Sequence, residues 1–174
     1  MSHEDDDLAL RAMLALDGDL AIPLELEARL VDTALEDHAG RAMRALARDV
    51  AMPRMVSAQA DGCAPIIRAF AAGADKATPW ENPTTHASGL RVPGPLGDRL
   101  ILRALRESKG DALAVSEDAI RAATLQLSRA TGVDAAPEGG CALAVVAELV
   151  REGRVPKDAE VLVFNTGSGA SYRF

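Results

Sequence analysis

Lysine is scarce in this sequence. Its 174 residues hold only Lys76, Lys109 and Lys157, and the first 52 residues contain none. Basic residues as a whole number 19 against 26 acidic ones, a net charge of -7 with no stripe or patch of positive charge, which excludes a nucleic-acid backbone or an anionic membrane surface as partner. The two cysteines, Cys63 and Cys141, lie far apart and show neither Cys-x-x-Cys nor Cys/His ligand spacing, so both read as buried thiols and no metal site is expected. Aromatic residues make up 3%. The longest apolar run, Cys141 to Ala147, stops at Glu148 and falls far short of the roughly 20 residues that span a bilayer. An acidic opening, Ser2-His3-Glu4-Asp5-Asp6-Asp7, stands where an export leader is basic, and the expectation is a cytoplasmic, thiol-reducing location. Neither a Walker loop nor a Gly-x-Ser-x-Gly elbow is present.

What remains is a globular balance, 48% hydrophobic and 26% charged, in a chain long enough for one core. Residues 8–50 repeat Ala and Leu near helical spacing (Leu26, Leu30, Ala34; Val31, Leu35, Ala42, Leu46), with a break at Asp17-Gly18-Asp19 and Pro23. Residues 1–52 thus read as a helical N-terminal segment, and 53–174 as a second region of different texture. There Met55 to Gln59 is a strand-compatible run closed by Asp61-Gly62, and Ala64 to Ala72 is a helix ended by Gly73. A long Pro/Gly-rich loop follows, of the kind that is usually functional in a small domain. Leu96, Leu100, Ala104 and Leu105 mark a helix ending at Gly110; Ala112 to Val115 is a short buried strand; Ser116 caps a helix with Glu117 and Asp118 in its first turn and Ile120, Ala123 and Leu127 on one face. A helix over about 139–151 and an apolar strand Val161-Leu162-Val163-Phe164 complete the order. Alternating strands and helices predict an α/β fold, an open, mostly parallel sheet with helices on both faces.

Chemistry is expected beyond the carboxyl ends of such strands. Thr166-Gly167-Ser168-Gly169 directly follows the last apolar run: the glycines admit a flat ligand, and the hydroxyls donate or accept. Taken alone, such a turn is more often a plain tight turn. The Pro137-Glu138-Gly139-Gly140 helix start offers free N–H groups to an anion, although the helix dipole alone accounts for Glu138. His86, in the loop from Asn82 to Pro93, has no ligand-spaced partner and reads as a satisfied loop side chain; Trp80 reads as a packing anchor. Arg68, Arg91, Arg99 and Arg103 are candidates for an anion site or for solvated faces.

Taken together, Pro53 to Ile66, Ala87 to Asp98, Ala112 to Asp118, Pro137 to Ala142 and Asn165 to Gly169 resemble, in order and spacing, the C-terminal part of threonine synthases, pyridoxal-phosphate enzymes of fold type II. The resemblance implies partial fold type II architecture, pyridoxal 5'-phosphate as cofactor and O-phosphohomoserine as substrate, converted to threonine and phosphate. It implies that Thr166, Gly167, Ser168 and Gly169 meet the cofactor, Thr166 at the pyridine nitrogen, with Ser88, Gly89 and Glu138 beside it. No catalytic residue is assigned. The family's cofactor-bearing lysine, in a Ser-Phe-Lys-Asp-type setting, and its Gly-Gly-Gly-Thr-Gly phosphate loop belong before residue 53 and have no counterpart here; His86 and Ala170-Ser171 also depart from the pattern. Covalent attachment of the cofactor is therefore not expected. Two functions follow: one part of a split enzyme completed by a second chain with the lysine half, or a truncated, non-catalytic remnant acting as an interaction module.

Overall fold

The computed structural model describes residues 53–156 and 158–172; the helical segment expected over 1–52 and Lys157 lie outside them. Two strands, β1 (Val56–Ala60) and β2 (Asp111–Val115), pair in parallel with Val56 opposite Asp111 and Ala60 opposite Val115. Between them run helices α1 (Pro65–Ala71) and α2 (Asp98–Glu107), and after β2 come α3 (Glu117–Thr131) and α4 (Pro137–Arg151). Single 3-10 turns form at Ser88–Leu90 and Gly169–Tyr172.

The pleat sends alternate residues to opposite faces. Ala58, Ala60, Leu113 and Val115 join Ile120, Cys141, Val145 and Leu149 in a core under α3 and α4, while Met55 and Ala112 pack with Ile66, Ala69, Leu102 and Leu105 beneath α1 and α2. Helices thus cover both faces, and the predicted α/β arrangement is present in this small sheet. Both cysteines are buried free thiols.

Local chemistry sets the helix ends. Ala64 has no side-chain oxygen to cap α1, and the Gln59 Oε1 accepts from the Ile66 and Ile67 amides instead, at 2.9 and 3.2 Å. Ser116 caps α3 by accepting from the Ala119 amide, as its sequence position predicts, and Gly132 ends that helix at φ 72°, where glycine carries no Cβ penalty.

Two expectations fail. Leu96 lies before α2 and is fully exposed, Leu100 is 47% exposed, and Leu102 and Leu105 face the core. Asp98 rather than Leu96 starts that helix, and its carboxylate is held inward by the Ala77 amide at 2.8 Å. The Val161 to Phe164 run forms no strand, because a strand requires a neighbour to ladder with and none lies beside it among the described residues. The nearest bridge is a single antiparallel one between Ala135 and Ser168.

At the amino ends of the strands, Arg54 binds the Asp111 carboxylate at 2.9 Å and the Lys109 and Arg154 carbonyls, each at 3.1 Å. Arg154 closes the same cluster on Asp111 and Glu152. Among the described residues no helix is long and apolar enough to cross a membrane.

Candidate functional site

Three loop segments converge beyond the carboxyl ends of β1 and β2. The first follows β1: the Thr84 amide donates to the Gly62 carbonyl at 3.0 Å, seating residues 84–90 over the strand end. A Cβ at Gly62 would strike the Thr84 carbonyl, so this approach requires glycine. The second is the start of α4. The third is the Asn165 to Gly169 turn, which lies on the second.

That docking is specific. The Asn165 Oδ1 accepts from the Ala136 amide at 3.2 Å, at the N-cap of α4, and its Nδ2 donates to the Gly167 carbonyl at 3.0 Å. One amide side chain therefore caps a helix and shapes its own turn. The Gly169 amide donates to the Asp134 carbonyl at 2.8 Å. Ser168 Oγ is spent within the turn, accepting from the Ala170 amide at 3.2 Å. Thr166 is exposed, and no described residue hydrogen-bonds its side chain.

Ser88, Gly89 and Glu138 come together at the adjoining corner. The Gly89 amide donates to Glu138 Oε1 at 2.8 Å, and the Tyr172 hydroxyl donates to the same oxygen. Ser88 meets that hydroxyl through its amide at 3.1 Å and its Oγ at 2.9 Å. All seven cofactor-binding candidates thus lie on the segments gathered at this edge. Tyr172 escaped the sequence reading; its signal was modest, the only tyrosine of the chain, six residues past Thr166.

His86 pairs through Nδ1 with Glu117 Oε2, which also faces the His86 amide at 3.3 Å. Burial pushes the Glu117 carboxyl up, but hydrogen bonds from Thr85 and His86 and the imidazole charge outweigh it and hold the group below its ordinary value. Cys141 is pushed up to about 12, first by burial and then by the charges of Glu117 and Glu138, so it stays a thiol at neutral pH.

The four arginines do not form one anion site. Arg68 lies 4.7 Å over the Trp80 ring and donates to the Thr78 and Pro79 carbonyls at 2.7 and 3.0 Å, so it is engaged with the loop that follows α1. Arg99 and Arg103 line an open depression of about 340 Å³ on α2, with Arg106 and the carboxylates Asp75 and Glu107. Among the described residues no group of His, Cys, Asp and Glu could hold a metal ion.

For pyridoxal phosphate the residues fit at the ring end, where an unengaged hydroxyl stands on a turn of near-bare backbone. The described lysines lie elsewhere. Lys109 stands two residues before the start of β2, and a five-residue strand separates it from the opposite edge by about 16 Å. Lys76 follows Asp75, which Arg106 of α2 binds at 2.9 Å.

The threonine synthase of Methanosarcina acetivorans is 36% identical over 116 residues, covering 67% of this chain and 29% of the relative. That of Methanocaldococcus jannaschii is 33% identical over 118 residues, covering 68% and 29%. The chain therefore spans about 29% of the length of these curated relatives. Among solved structures, maize serine racemase superposes with a TM-score of 0.50 at 24% identity, covering 72% of this chain and 34% of that one, a likeness of fold alone. The model of the family described as pyridoxal-phosphate dependent enzyme matches residues 38–167, three-quarters of the sequence, and the chain belongs to that family.

Proposed function

We propose that this chain supplies the C-terminal part of a threonine-synthase-like site in the cytoplasm. The reading rests on one observation above all: the exposed, unengaged Thr166 hydroxyl sits on a turn fastened to the start of α4 at the carboxyl edge of the strands. When bound, pyridoxal phosphate supplies an electron sink for bond changes along an amino-acid substrate. Thr166 would hold its ring nitrogen. A neutral hydroxyl there, unlike a carboxylate, does not stabilise a protonated ring, and the sink is moderated accordingly. Gly167 and Gly169 let the backbone approach a flat ring, while Ser88, Gly89 and Glu138 border the same space.

On this proposal a second polypeptide supplies the lysine and the phosphate-binding glycine loop; of the described lysines, neither Lys76 nor Lys109 stands at this edge. In that assembly the substrate is O-phosphohomoserine and the products are threonine and phosphate, a carbon–oxygen lyase reaction of threonine biosynthesis. The test is to mix the purified chain with the lysine-bearing part of a related threonine synthase and measure phosphate release and the visible absorption of bound cofactor. Both should emerge in the mixture, and Thr166→Val should reduce phosphate release at least about tenfold while leaving the fold intact. The chain alone should form no threonine, and borohydride reduction should leave no stoichiometric pyridoxyl group on any of its three lysines.

A second reading is a non-catalytic interaction module. Val56 on β1 is 40% exposed, and an exposed apolar residue on a two-stranded sheet favours association. It predicts neither phosphate release nor cofactor absorption from the mixture.

A further inference from the structure

The Tyr172 hydroxyl stands where the three loop segments of the site meet. A phenol has one proton, and an ionised carboxylate only accepts, so that proton belongs to Glu138 Oε1. The lone pairs of the phenol oxygen are then left for the Ser88 amide at 3.1 Å and the Ser88 hydroxyl at 2.9 Å. Glu138 Oε1 takes a further donor, the Gly89 amide at 2.8 Å. Two oxygens, one phenolic and one carboxylic, thus fix two consecutive backbone amides and a hydroxyl. The approach is close enough that a Cβ at Gly89 would stand 2.7 Å from Glu138 Oε1. The segment carrying Tyr172 continues directly from the Thr166 turn, with the Ser171 amide on the Ser168 carbonyl at 3.1 Å.

We infer that Tyr172 is a positioning residue of this site: its hydroxyl orients the Glu138 carboxylate and locks the Ser88–Gly89 turn to the turn that bears Thr166. The inference deepens the cofactor-site reading and rests on it for the identity of the ligand, while the network itself needs no ligand. It also carries a specificity. With the Ser88 proton directed at the phenol, Ser88 offers an incoming ligand only an acceptor, which suits a ligand group that brings its own proton, such as an ammonium or a hydroxyl.

The experiment uses the full chain and its Tyr172→Phe variant, with circular dichroism as the check on folding. Backbone amide shifts and hydrogen exchange at Ser88 and Gly89 give the readout. Removing the hydroxyl should shift both amides upfield and speed both exchanges roughly fivefold, with the Val145 and Leu149 amides of α4 unchanged. The Gly89 response is informative because that amide does not touch Tyr172 and bonds Glu138, and the double variant below separates relay through Glu138 from relay through the neighbouring Ser88. If Gly89 is unmoved, Tyr172 merely caps Ser88 and the inference fails. Glu138→Ala and the double variant form a second arm: the double variant should match Glu138→Ala at Gly89, and additive effects would overturn the coupling. Titration with pyridoxal phosphate in the presence of the lysine-bearing part of a related threonine synthase, followed at the Gly167 amide of this chain, separates the two readings. A response in the parent chain that weakens about fivefold in Tyr172→Phe supports both, and an equal response in the two proteins sinks the positioning role. No response in either overturns the cofactor reading, and the exchange result then decides the role of Tyr172 by itself.

Discussion

The two ends of the small parallel sheet are built from different materials. At the amino end, full charges meet: Arg54 and Arg154 share the Asp111 carboxylate, and Arg154 takes Glu152 as well at 2.9 Å. At the carboxyl end, the contacts run through glycine backbone, an asparagine amide and hydroxyls, with Glu138 and Glu117 receiving N–H and O–H donors. Charged clusters saturate themselves and leave nothing to offer. Hydroxyl and amide contacts are weaker singly, and among the described residues they leave the exposed Thr166 side chain without a hydrogen-bond partner. The amino end is a clasp, and the carboxyl end keeps an exposed hydroxyl at its surface.

Substitutions sharpen that contrast. Leu149, fully buried in the core that underlies both ends, should cost most: Leu149→Ala is expected to remove about 2–5 kcal/mol in urea denaturation and to loosen both edges together. Asp111→Ala should cost less, about 1–3 kcal/mol, because it takes the shared acceptor from two arginines that remain half in water. Its signature is faster exchange near Met55 and Arg154 with Ser88 and Gly89 unaffected; loosening at both edges would refute the division. Asn165→Ala should remove about 1 kcal/mol and act only at the carboxyl end, accelerating exchange at Ala136. Gly139→Ala offers a partner test, since its new Cβ would collide with the Asn165 amide, and combining it with Asn165→Ala should relieve part of the cost.

The smallest expected effect is a pH dependence. Because Glu117 is held below its ordinary value in the folded chain, its contribution to stability is present above the unfolded carboxyl's pKa and is lost as pH falls through the lower folded one. Urea midpoints measured from neutral pH downward should decline less steeply in Glu117→Gln than in the parent chain. Identical slopes would remove Glu117 from the account of this edge.

Much of the fold was legible because it rests on local chemistry. Ser116 followed by two carboxylates and Pro137 at a helix start both act within a turn of their own position, and the helices lie where those signals put them. The face of α2 was not legible. Leu96, Leu100, Ala104 and Leu105 share helical spacing, yet of these only Leu105 is buried, beside Leu102, and the packing against α1 decides that face. The run Val161 to Phe164 failed for a related reason, since strand character is conferred by a neighbour and composition supplies only the capacity. At the site, family resemblance supplied the segments, but the contact from Tyr172 to Ser88 spans 84 positions and leaves no periodic trace.

Gly140 has a reach beyond its own turn. A methyl group there would run into the Thr124 side chain and stand 2.7 Å from the Ile120 carbonyl, so α3 and α4 touch almost backbone to backbone at that point. The glycine works as a spacer gauge set at zero: any thicker residue would pry the two axes apart two positions from the carboxylate that Tyr172 grips. Tolerance at this edge is therefore governed partly by a position that never faces it, and a conservative-looking alanine there would act as a wedge.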